Sequence, residues 1–574
     1  MSLTSRVACA LALTVALAAA AAADEPPTVP GPQMAGAAFG DELEVTVVNV
    51  DVYVRDRKGR PVEGLGPDDF RLFQDGDEVP ISNFAVFAGG AEAPVGGRGD
   101  AGAANPGAAA GELARPVWIV LFVDNVNIHA LNRNRVLNRM RAFVEENLAP
   151  PVQMMVVSAR PTLAVRQAYT DEPEKVLAAL EEVAAESSGR PARDRDRREI
   201  LEWMNEIASD ARMDVAEFLD TTEVAVQKVQ VQAQIMAYVE QESDILEDSL
   251  ITLHEVLRLV SGREGRKAVI HVSNGLPMIP GVDLLHQFEA VFRDNSIYSR
   301  IAQREFTADF TALAETANGQ GVSLYAIDAS GLNPLEGFRA DDRSVPAAMA
   351  SSVHARNLQE TLSFMADATG GLAVLDTNDV TKGLGRLRDD LVSYYSLGYP
   401  VALSGEDLAH RIRVELPGHP KLELRYREWF VEKSPLTQVR ERVLSALVCD
   451  IGDNPMGIGL SVDAASLSAD RRQQIALKVS VPLAALSLAA DGAELVGEVQ
   501  LVVGLRDHHG RETPPQGIRR ELRIPAAEVG ADAGQRVAIA VPLLVRGRQH
   551  TVAVGVTDLG TGQSSFARME LAQP

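Results

Sequence analysis

Polar side chains stand at the predicted carboxyl ends of several apolar strands, where a hard cation could be held. The run Val117–Val123 is continuously apolar, as a strand buried on both faces should be, and Asp124 follows it. A later predicted strand ends in Ser273-Asn274-Gly275, and Asp328 and Asp376 end two more. Because Mg²⁺ and Ca²⁺ take oxygen ligands, carboxylates at adjoining strand ends could form a metal site. The simpler interpretation of each Asp alone is a cap on the helix or turn that follows its strand.

The remaining motifs favour no enzyme class. His254-Glu255 begins like a zinc-protease helix, but Arg258 stands where the second histidine should be. The stretch Gly262–Lys267 lacks the spacing of a phosphate-binding P-loop, so we interpret it as a tight basic turn entering a buried strand. Cys449 has no neighbouring histidine in sequence. We therefore assign no catalytic and no cofactor-binding residues.

Alternating strand and helix patterns must position the strand-end residues. Apolar strands are predicted near residues 117–123, 154–157, 267–272, 322–327 and 372–375, with helical patterns between them. Such alternation predicts an α/β fold with a doubly wound, mostly parallel sheet, here over residues 115–430. Ligands on such sheets bind at the carboxyl ends of the strands, which is where the candidate residues stand.

A long helical segment interrupts this alternation. No glycine or proline occurs from Ala192 to Ser261, and the segment begins with the charge cluster Arg193–Glu199. We predict a helical insertion at about 190–261, folded as a hairpin because one straight helix would leave its apolar face unburied. Its last helix is expected at about 243–261. We interpret its apolar stripe as packing, with a partner-binding coiled coil as the alternative.

Two all-β domains are predicted to flank the α/β domain. Alternating valines from Val48 to Val54 indicate a small β domain at 42–88, and the Gly/Ala-rich stretch 89–114 is typical of a linker. After Val431 the pattern is again that of strands, and residues 440–574 are predicted to form a β-sandwich-like domain.

The N-terminus has the layout of a secretory signal, with Arg6 before an uncharged stretch that ends in small residues. We expect cleavage after residue 23, a flexible segment at 24–41, and export to the periplasm or the medium; an uncleaved anchor is the alternative. The chain has 55 basic and 79 acidic residues and a net charge of −24, which argues against a nucleic-acid partner. No other uncharged apolar run is long enough to suggest a stable membrane span after cleavage.

Several separated motifs resemble the von Willebrand factor A-type (vWA) domain, and more narrowly the exported VWFA-related proteins of acidobacteria. The β segment NVDVYVRDRKGRPVEGLGPDDFRLFQDG at 49–76 is similar to the module that precedes the A domain in that family. The resemblance covers about residues 42–430. The motifs in the A-type region are the strand and Asp at 118–127, GREGRKAVIHVSNGLP at 262–277, GVSLYAIDASGL at 321–332, MADATGGLAVLDTND at 365–379 and SYYSLGYP at 393–400.

The resemblance implies a metal-ion-dependent adhesion site, which in the family uses Asp-x-Ser-x-Ser, a Thr from a second loop and an Asp from a third. Asp124 matches the first Asp, whereas Val126 and Ile128 replace the two serines. Asn274 replaces the third-loop Asp, and Thr170 is the candidate loop Thr. The implied site is therefore degenerate. Its candidate metal ligands are Asp124, Asn127, Ser273 and Asn274, with Asn125 as a possible substitute, and they would bind Mg²⁺ or Ca²⁺ weakly if at all.

Three functions follow from these observations. The first is a non-enzymatic protein-interaction or scaffold protein that holds an unknown protein partner. The second is a metal-dependent adhesin, in which a carboxylate of the partner completes the coordination of Mg²⁺ or Ca²⁺. The third is a hydrolase that uses strand-end carboxylates such as Asp124 and Asp328, which would have to converge on one pocket.

Overall fold

The N-terminal 44 residues and several shorter segments lie outside the described part of the chain. The predicted signal sequence at 1–23, the flexible segment at 24–41, most of the linker at 89–114 and Cys449 therefore lie outside it too. No helix in the described part is long and apolar enough to span a membrane. The computed structural model describes residues 45–88, 91–93, 116–160, 162–210, 222–263, 265–332, 345–402, 404–448, 451–462, 466–467, 473–507, 511–528, 535–545 and 549–572.

The first described residues form short strands around a buried row of valines. Val48, Val50, Val52 and Val54 are buried on one side of the first strand, as their alternation predicts. The last strand of the group, at 91–93, lies within the segment predicted as a linker. The strands are β1 (Val45–Arg55), β2 (Arg71–Gln74), β3 (Asp77–Val79), β4 (Asn83–Ala88) and β5 (Ala91–Ala93), with a 3-10 turn at Pro67–Asp69.

The central sheet has six strands, and all neighbours are parallel except the antiparallel edge pair β7–β8. Its order is β11-β10-β9-β6-β7-β8, so the chain reverses direction across the sheet between β6 and β9. The predicted α/β class with a mostly parallel sheet is confirmed. The strands are β6 (Val117–Asp124), β7 (Val152–Ala159), β8 (Leu163–Thr170), β9 (Arg266–Ser273), β10 (Val322–Asp328) and β11 (Ala373–Val374).

Helices cover both faces of this sheet. Val120 and Phe122 of β6 pack in a cluster with residues from one set of helices, whereas Ile119 and Leu121 pack in a second cluster with another set. The alternation of side chains along a strand thus supplies two cores. The helices are α1 (Ala130–Asn147), α2 (Pro173–Ala184), α3 (Arg190–Asp210), α4 (Thr222–Ser261), α5 (Val282–Phe292), α6 (Tyr298–Ala302), α7 (Thr307–Gly319), α8 (Val345–Ala368) and α9 (Thr381–Val392).

The segment predicted as a helical insertion contains α3 and α4. Helix α4 has 40 residues, so the expected separate helix at 243–261 is instead its C-terminal half. That half places Leu253 and Leu257 against the sheet, while the N-terminal half packs Val231 and Ile235 against α3 and α5. The absence of glycine and proline explains why the helix is not interrupted.

The chain returns to the N-terminal β domain after α9. Strand β12 (Tyr394–Ala402) pairs antiparallel with both β1 and β4. Residues 394–432 therefore belong with the β domain, and the predicted boundary at residue 430 moves to about 393. Alternating apolar residues show that a segment is a strand but not which strand it pairs with. The further strands are β13 (Leu408–Glu415), β14 (Glu423–Tyr426) and β15 (Trp429–Glu432), and β13 joins β15 and β2 in a second sheet.

The C-terminal region is a two-sheet β domain preceded by a helix. Helix α10 (Pro435–Val448) was not predicted; its Val443 and Leu447 pack in the same core cluster as Leu253 of α4. The two sheets enclose a core that includes Leu477 and Val554. The strands are β16 (Gly459–Val462), β17 (Ser466–Leu467), β18 (Gln473–Pro482), β19 (Ala489–Asp491), β20 (Glu494–Asp507), β21 (Glu512–Pro525), β22 (Arg536–Val545), β23 (Gln549–Asp558) and β24 (Ser564–Ala572), with 3-10 turns at Leu483–Ala485 and Ala526–Glu528.

Candidate functional site

The predicted metal-site residues lie together at the point where the sheet reverses its strand order. Asp124 ends β6 and Ser273 ends β9, and these two strands are direct neighbours. The backbone N–H of Asn274 donates to the carbonyl of Asn127 at 3.0 Å, and the Ser273 hydroxyl lies 3.4 Å from the same oxygen. In open α/β sheets this crevice is where ligands bind. The residues that the sequence grouped as candidate ligands thus lie together at the carboxyl ends of β6 and β9.

The Asp124 carboxylate accepts three hydrogen bonds from its own loop. Its Oδ1 accepts the backbone N–H groups of Val126 at 3.2 Å and Asn127 at 3.1 Å, and its Oδ2 accepts the Asn127 amide at 2.9 Å. His271 Nε2 lies 3.5 Å from Oδ2. Burial alone would raise the pKa of Asp124, but His271 and the Asn127 hydrogen bonds outweigh burial and hold the pKa below its usual value. Asp124 thus caps the turn after its strand.

A buried arginine from α3 reaches into this loop. The Arg193 Nη2 donates to Oδ1 of Asn127 at 3.0 Å and also to the backbone carbonyl of Val126. Its Nη1 donates to Glu242 of α4 at 3.1 Å, and the residue is only 4% exposed. The Asn127 side chain is then fully used, because its Nδ2 donates to both Asp124 and the Ser249 hydroxyl.

Arg193 belongs to a row of three buried arginines on one face of α3. Arg190, the first, donates to Asp194 at 2.8 Å and to His354 Nε2 at 3.0 Å. Arg197, the third, donates to Asp283 at 2.7 Å. The spacing of three and four residues places all three on one side of the helix, towards α4, α5 and α8. In the sequence, this row was visible only as a charge cluster, which is usually a solvated helix face.

His354 connects two of these arginines. Because arginine can only donate, Nε2 of His354 accepts from Arg190, and Nδ1 faces Asp283 at 3.5 Å. Burial and the neighbouring Arg197 lower the pKa of His354. Burial opposes ionisation of Asp283, but Arg197 and His354 keep its pKa well below the usual range. The surroundings therefore favour a neutral His354 and an ionised Asp283.

The candidate ligands do not fit a divalent cation. Mg²⁺ needs near-octahedral oxygen coordination, but the Asp124 and Asn127 oxygens already accept hydrogen bonds, and a guanidinium stands beside them. The one free ligand is Oδ1 of Asn274, which is buried and has no partner among the described residues. No group of three His, Cys, Asp or Glu residues that could hold a metal occurs within the described ranges.

Two further predicted positions lie elsewhere. Thr170 pairs with Met154 near the amino end of β7, whereas Asp124 lies at the carboxyl end of the neighbouring β6. The expectation that Thr170 is the loop Thr is therefore wrong.

Asp328 ends β10, which β9 separates from β6. Its carboxylate accepts the Ser330 N–H at 2.8 Å and the Gln359 amide at 3.0 Å, and the same amide reaches Asp376 at 2.9 Å. Burial raises the pKa of Asp328.

No protein-family model matches the chain, and no curated protein matches it. Solved structures that match part of the chain include BatB from Bacteroides thetaiotaomicron, at 11% identity over 48% of this chain and 97% of that chain, with a TM-score of 0.23. Another is proximal thread matrix protein 1 of the mussel byssus with a zinc-occupied MIDAS motif, at 12% identity over 50% of this chain and 48% of that chain, with a TM-score of 0.24.

Proposed function

We propose that this chain is an exported, non-enzymatic protein-interaction protein of vWA type that holds its partner without a metal ion. The observation that carries the proposal is the hydrogen bond from Arg193 to Asn127, which puts an internal cation at the strand-end crevice. An arginine that is always charged offers the loop the positive charge that a metal would otherwise bring. We therefore expect binding that does not need a metal, because a guanidinium already occupies the place beside the Asn127 oxygen.

The arrangement of carboxylates favours binding over hydrolysis. Asp124 and Asp328 stand on strands separated by β9, and two strand spacings amount to about 10 Å. Each carboxylate is also occupied by donors of its own loop. A general acid and base would have to reach one substrate atom, which this spacing does not favour.

A metal-dependent adhesin is the second candidate, and one observation favours it. Oδ1 of Asn274 is buried without a partner at the strand end, as an unused ligand would be. A cation that also used the Asn127 oxygen would have to displace Arg193, whose other guanidinium nitrogen pairs with the buried Glu242 carboxylate. This cost makes the metal-free form the better-supported function.

Affinity capture with the mature chain as bait separates the two candidates. Envelope extract of the producing cells would be passed over the bait in EDTA and, in parallel, in Mg²⁺ plus Ca²⁺. The metal-free function predicts that the same partner is captured in EDTA and in Mg²⁺ plus Ca²⁺. Once purified, that partner should bind the chain with the same affinity in both buffers. Capture that needs the divalent cation, and that Asp124→Ala abolishes, would instead establish the adhesin.

N-terminal sequencing of the exported protein would test the predicted start at Asp24.

A further inference from the structure

A cavity lies at the opposite end of the central sheet from Asp124. It has a volume of about 510 Å³ and is bounded by the amino ends of β6, β9 and β10. Residues of β1 form another wall, including Asn49, Asp51 and Tyr53. Pockets of this size bind small organic molecules. None of the residues assigned above to the strand-end site lines it.

The cavity wall carries more positive than negative charge, in a chain that is acidic overall. Arg266, Lys267 and Arg427 line it, against one carboxylate, Asp51. Asp51 lies 3.5 Å from Arg266. Arg266 is also fixed by the backbone carbonyl of Leu391 at 2.8 Å and the Tyr53 hydroxyl at 2.6 Å. Arg266 is thus part of the wall and has close partners of its own.

Lys267 and Arg427 have no carboxylate within salt-bridge distance in the described part of the chain. The Lys267 ammonium reaches only the carbonyl of Ser261, at 3.4 Å. Arg427 donates to the backbone carbonyls of Asn49 at 3.0 Å and Asn318 at 3.4 Å. Burial, and then the nearby charge of Arg427, lower the pKa of Lys267 to about 8. Burying two neighbouring cations without a salt-bridge partner costs free energy, and a bound anion would offset that cost.

A further feature suits a ligand beside Lys267 and Arg427. Gly321 has a φ of +67°, and a Cβ there would stand 3.2 Å from the Arg427 guanidinium. The glycine therefore keeps space open beside both cations. Two neighbouring cations without a salt-bridge partner favour an acceptor that carries negative charge.

We propose that this cavity binds a small organic molecule through a carboxylate or phosphate group held by Lys267 and Arg427. The group would accept hydrogen bonds from both cations. The body of the molecule would occupy the part of the cavity lined by Val117, Leu391 and the Tyr394 ring. This binding differs from a P-loop, because side chains rather than a run of backbone N–H groups meet the anion.

Calorimetry on the mature chain tests the proposal with phenyl phosphate and benzoate as probes. At least one of the two probes should bind saturably. Binding of phenyl phosphate would indicate phosphate recognition, and binding of benzoate would indicate carboxylate recognition. The neutral benzyl alcohol should give no saturable heat. Inorganic phosphate should bind more weakly than phenyl phosphate because it lacks the organic body. Affinity for the bound probe should fall as the pH is raised from about 7 to 9, because the Lys267 ammonium, which faces Arg427, Lys433, Arg442 and Glu441, loses its proton.

Matched variants locate the binding. Lys267→Met and Arg427→Met should each weaken the bound probe by about tenfold or more, because each removes a charged hydrogen-bond donor. Lys382→Met, at an exposed lysine of α9, should leave the affinity unchanged. The proposal is overturned if neither probe binds the wild type at about 10 mM, or if Lys267→Met and Arg427→Met bind like Lys382→Met. It is also overturned if inorganic phosphate binds as tightly as phenyl phosphate.

Discussion

The guanidinium of Arg193 donates a 3.0 Å hydrogen bond to Oδ1 of Asn127, and so joins the helical insertion to the carboxyl end of the first central strand. Arg193 is contributed by α3, far along the chain from the Asp124 loop that it closes. Through Glu242 the same side chain also fixes α4. One arginine thus links three elements at the place where α/β sheets bind ligands.

Removal of this arginine should destabilise the protein strongly. Arg193→Met leaves the buried Glu242 carboxylate without its partner, so the free energy of unfolding should fall by about 3 to 5 kcal/mol. Urea denaturation measures the change. The double variant Arg193→Met/Glu242→Met should recover much of the loss. A loss in the free energy of unfolding no larger than that caused by Arg195→Met, at an exposed position of the same helix, would contradict the buried pairing of Arg193 with Glu242.

The role of Asp124 as a turn cap predicts a cost that does not depend on metal. Asp124→Asn places an amide donor where Oδ2 now accepts the Asn127 amide, so about 1 to 3 kcal/mol of stability should be lost. The loss should be equal in EDTA and in millimolar Mg²⁺. A loss that appears only with Mg²⁺ present would show that the carboxylate serves a cation instead.

Acid should weaken the network around His354. Its pKa in the folded chain lies below the unfolded value of 6.5, so the folded state binds fewer protons between those two values. Stability is therefore complete above about pH 6.5 and is lost as the pH falls towards the lowered folded pKa. His354→Gln should flatten this part of the stability–pH curve, whereas His286→Gln, at an exposed position of α5, should not. Equal curves for both variants would refute the assignment.

The buried charge of Lys267, which has no salt-bridge partner in the described residues, predicts a stabilising substitution. Lys267→Met should raise the free energy of unfolding by on the order of 1 kcal/mol at neutral pH, because it removes a buried cation whose hydrogen bond is the long one to the Ser261 carbonyl, at 3.4 Å. The folded pKa of about 8 lies below the model-compound value of 10.5, so wild-type stability should rise as the pH increases between those values. The variant should lack this rise, and Lys382→Met should keep it. A destabilised Lys267→Met would mean that an unrecognised contact holds the ammonium.

The sequence predicted the parts of the fold that depend on local periodicity. The apolar run before Asp124 and the alternating valines of β1 both became strands, and the strand-end residues Asp124 and Ser273 meet as the parallel sheet requires. Long-range pairing was out of reach. The residue pattern of β12 does not indicate that this strand pairs with β1 and β4. The sequence around Arg193 likewise does not indicate that its guanidinium contacts Asn127.

Two errors have clear physical reasons. Thr170 was matched to the loop Thr of the family motif, but β8 runs antiparallel to β7, so Thr170 lies beside Met154 near the amino end of β7, away from Asp124. Helix α10 was missed because its apolar residues Val439, Val443 and Leu447 lie between regions with strand periodicity. The degenerate metal motif, by contrast, was visible at once, since Val126 and Ile128 cannot supply oxygen ligands.

Calorimetric titration of the mature chain with Mg²⁺, Mn²⁺ and Ca²⁺ tests most directly whether Arg193 has taken the place of a metal. The protein would be freed of metal with EDTA and dialysed, and Asp124→Ala would be titrated in parallel. An arginine-closed site predicts no saturable heat with any of the three ions at millimolar concentration, in either protein. Saturable binding to the wild type that Asp124→Ala abolishes would contradict it.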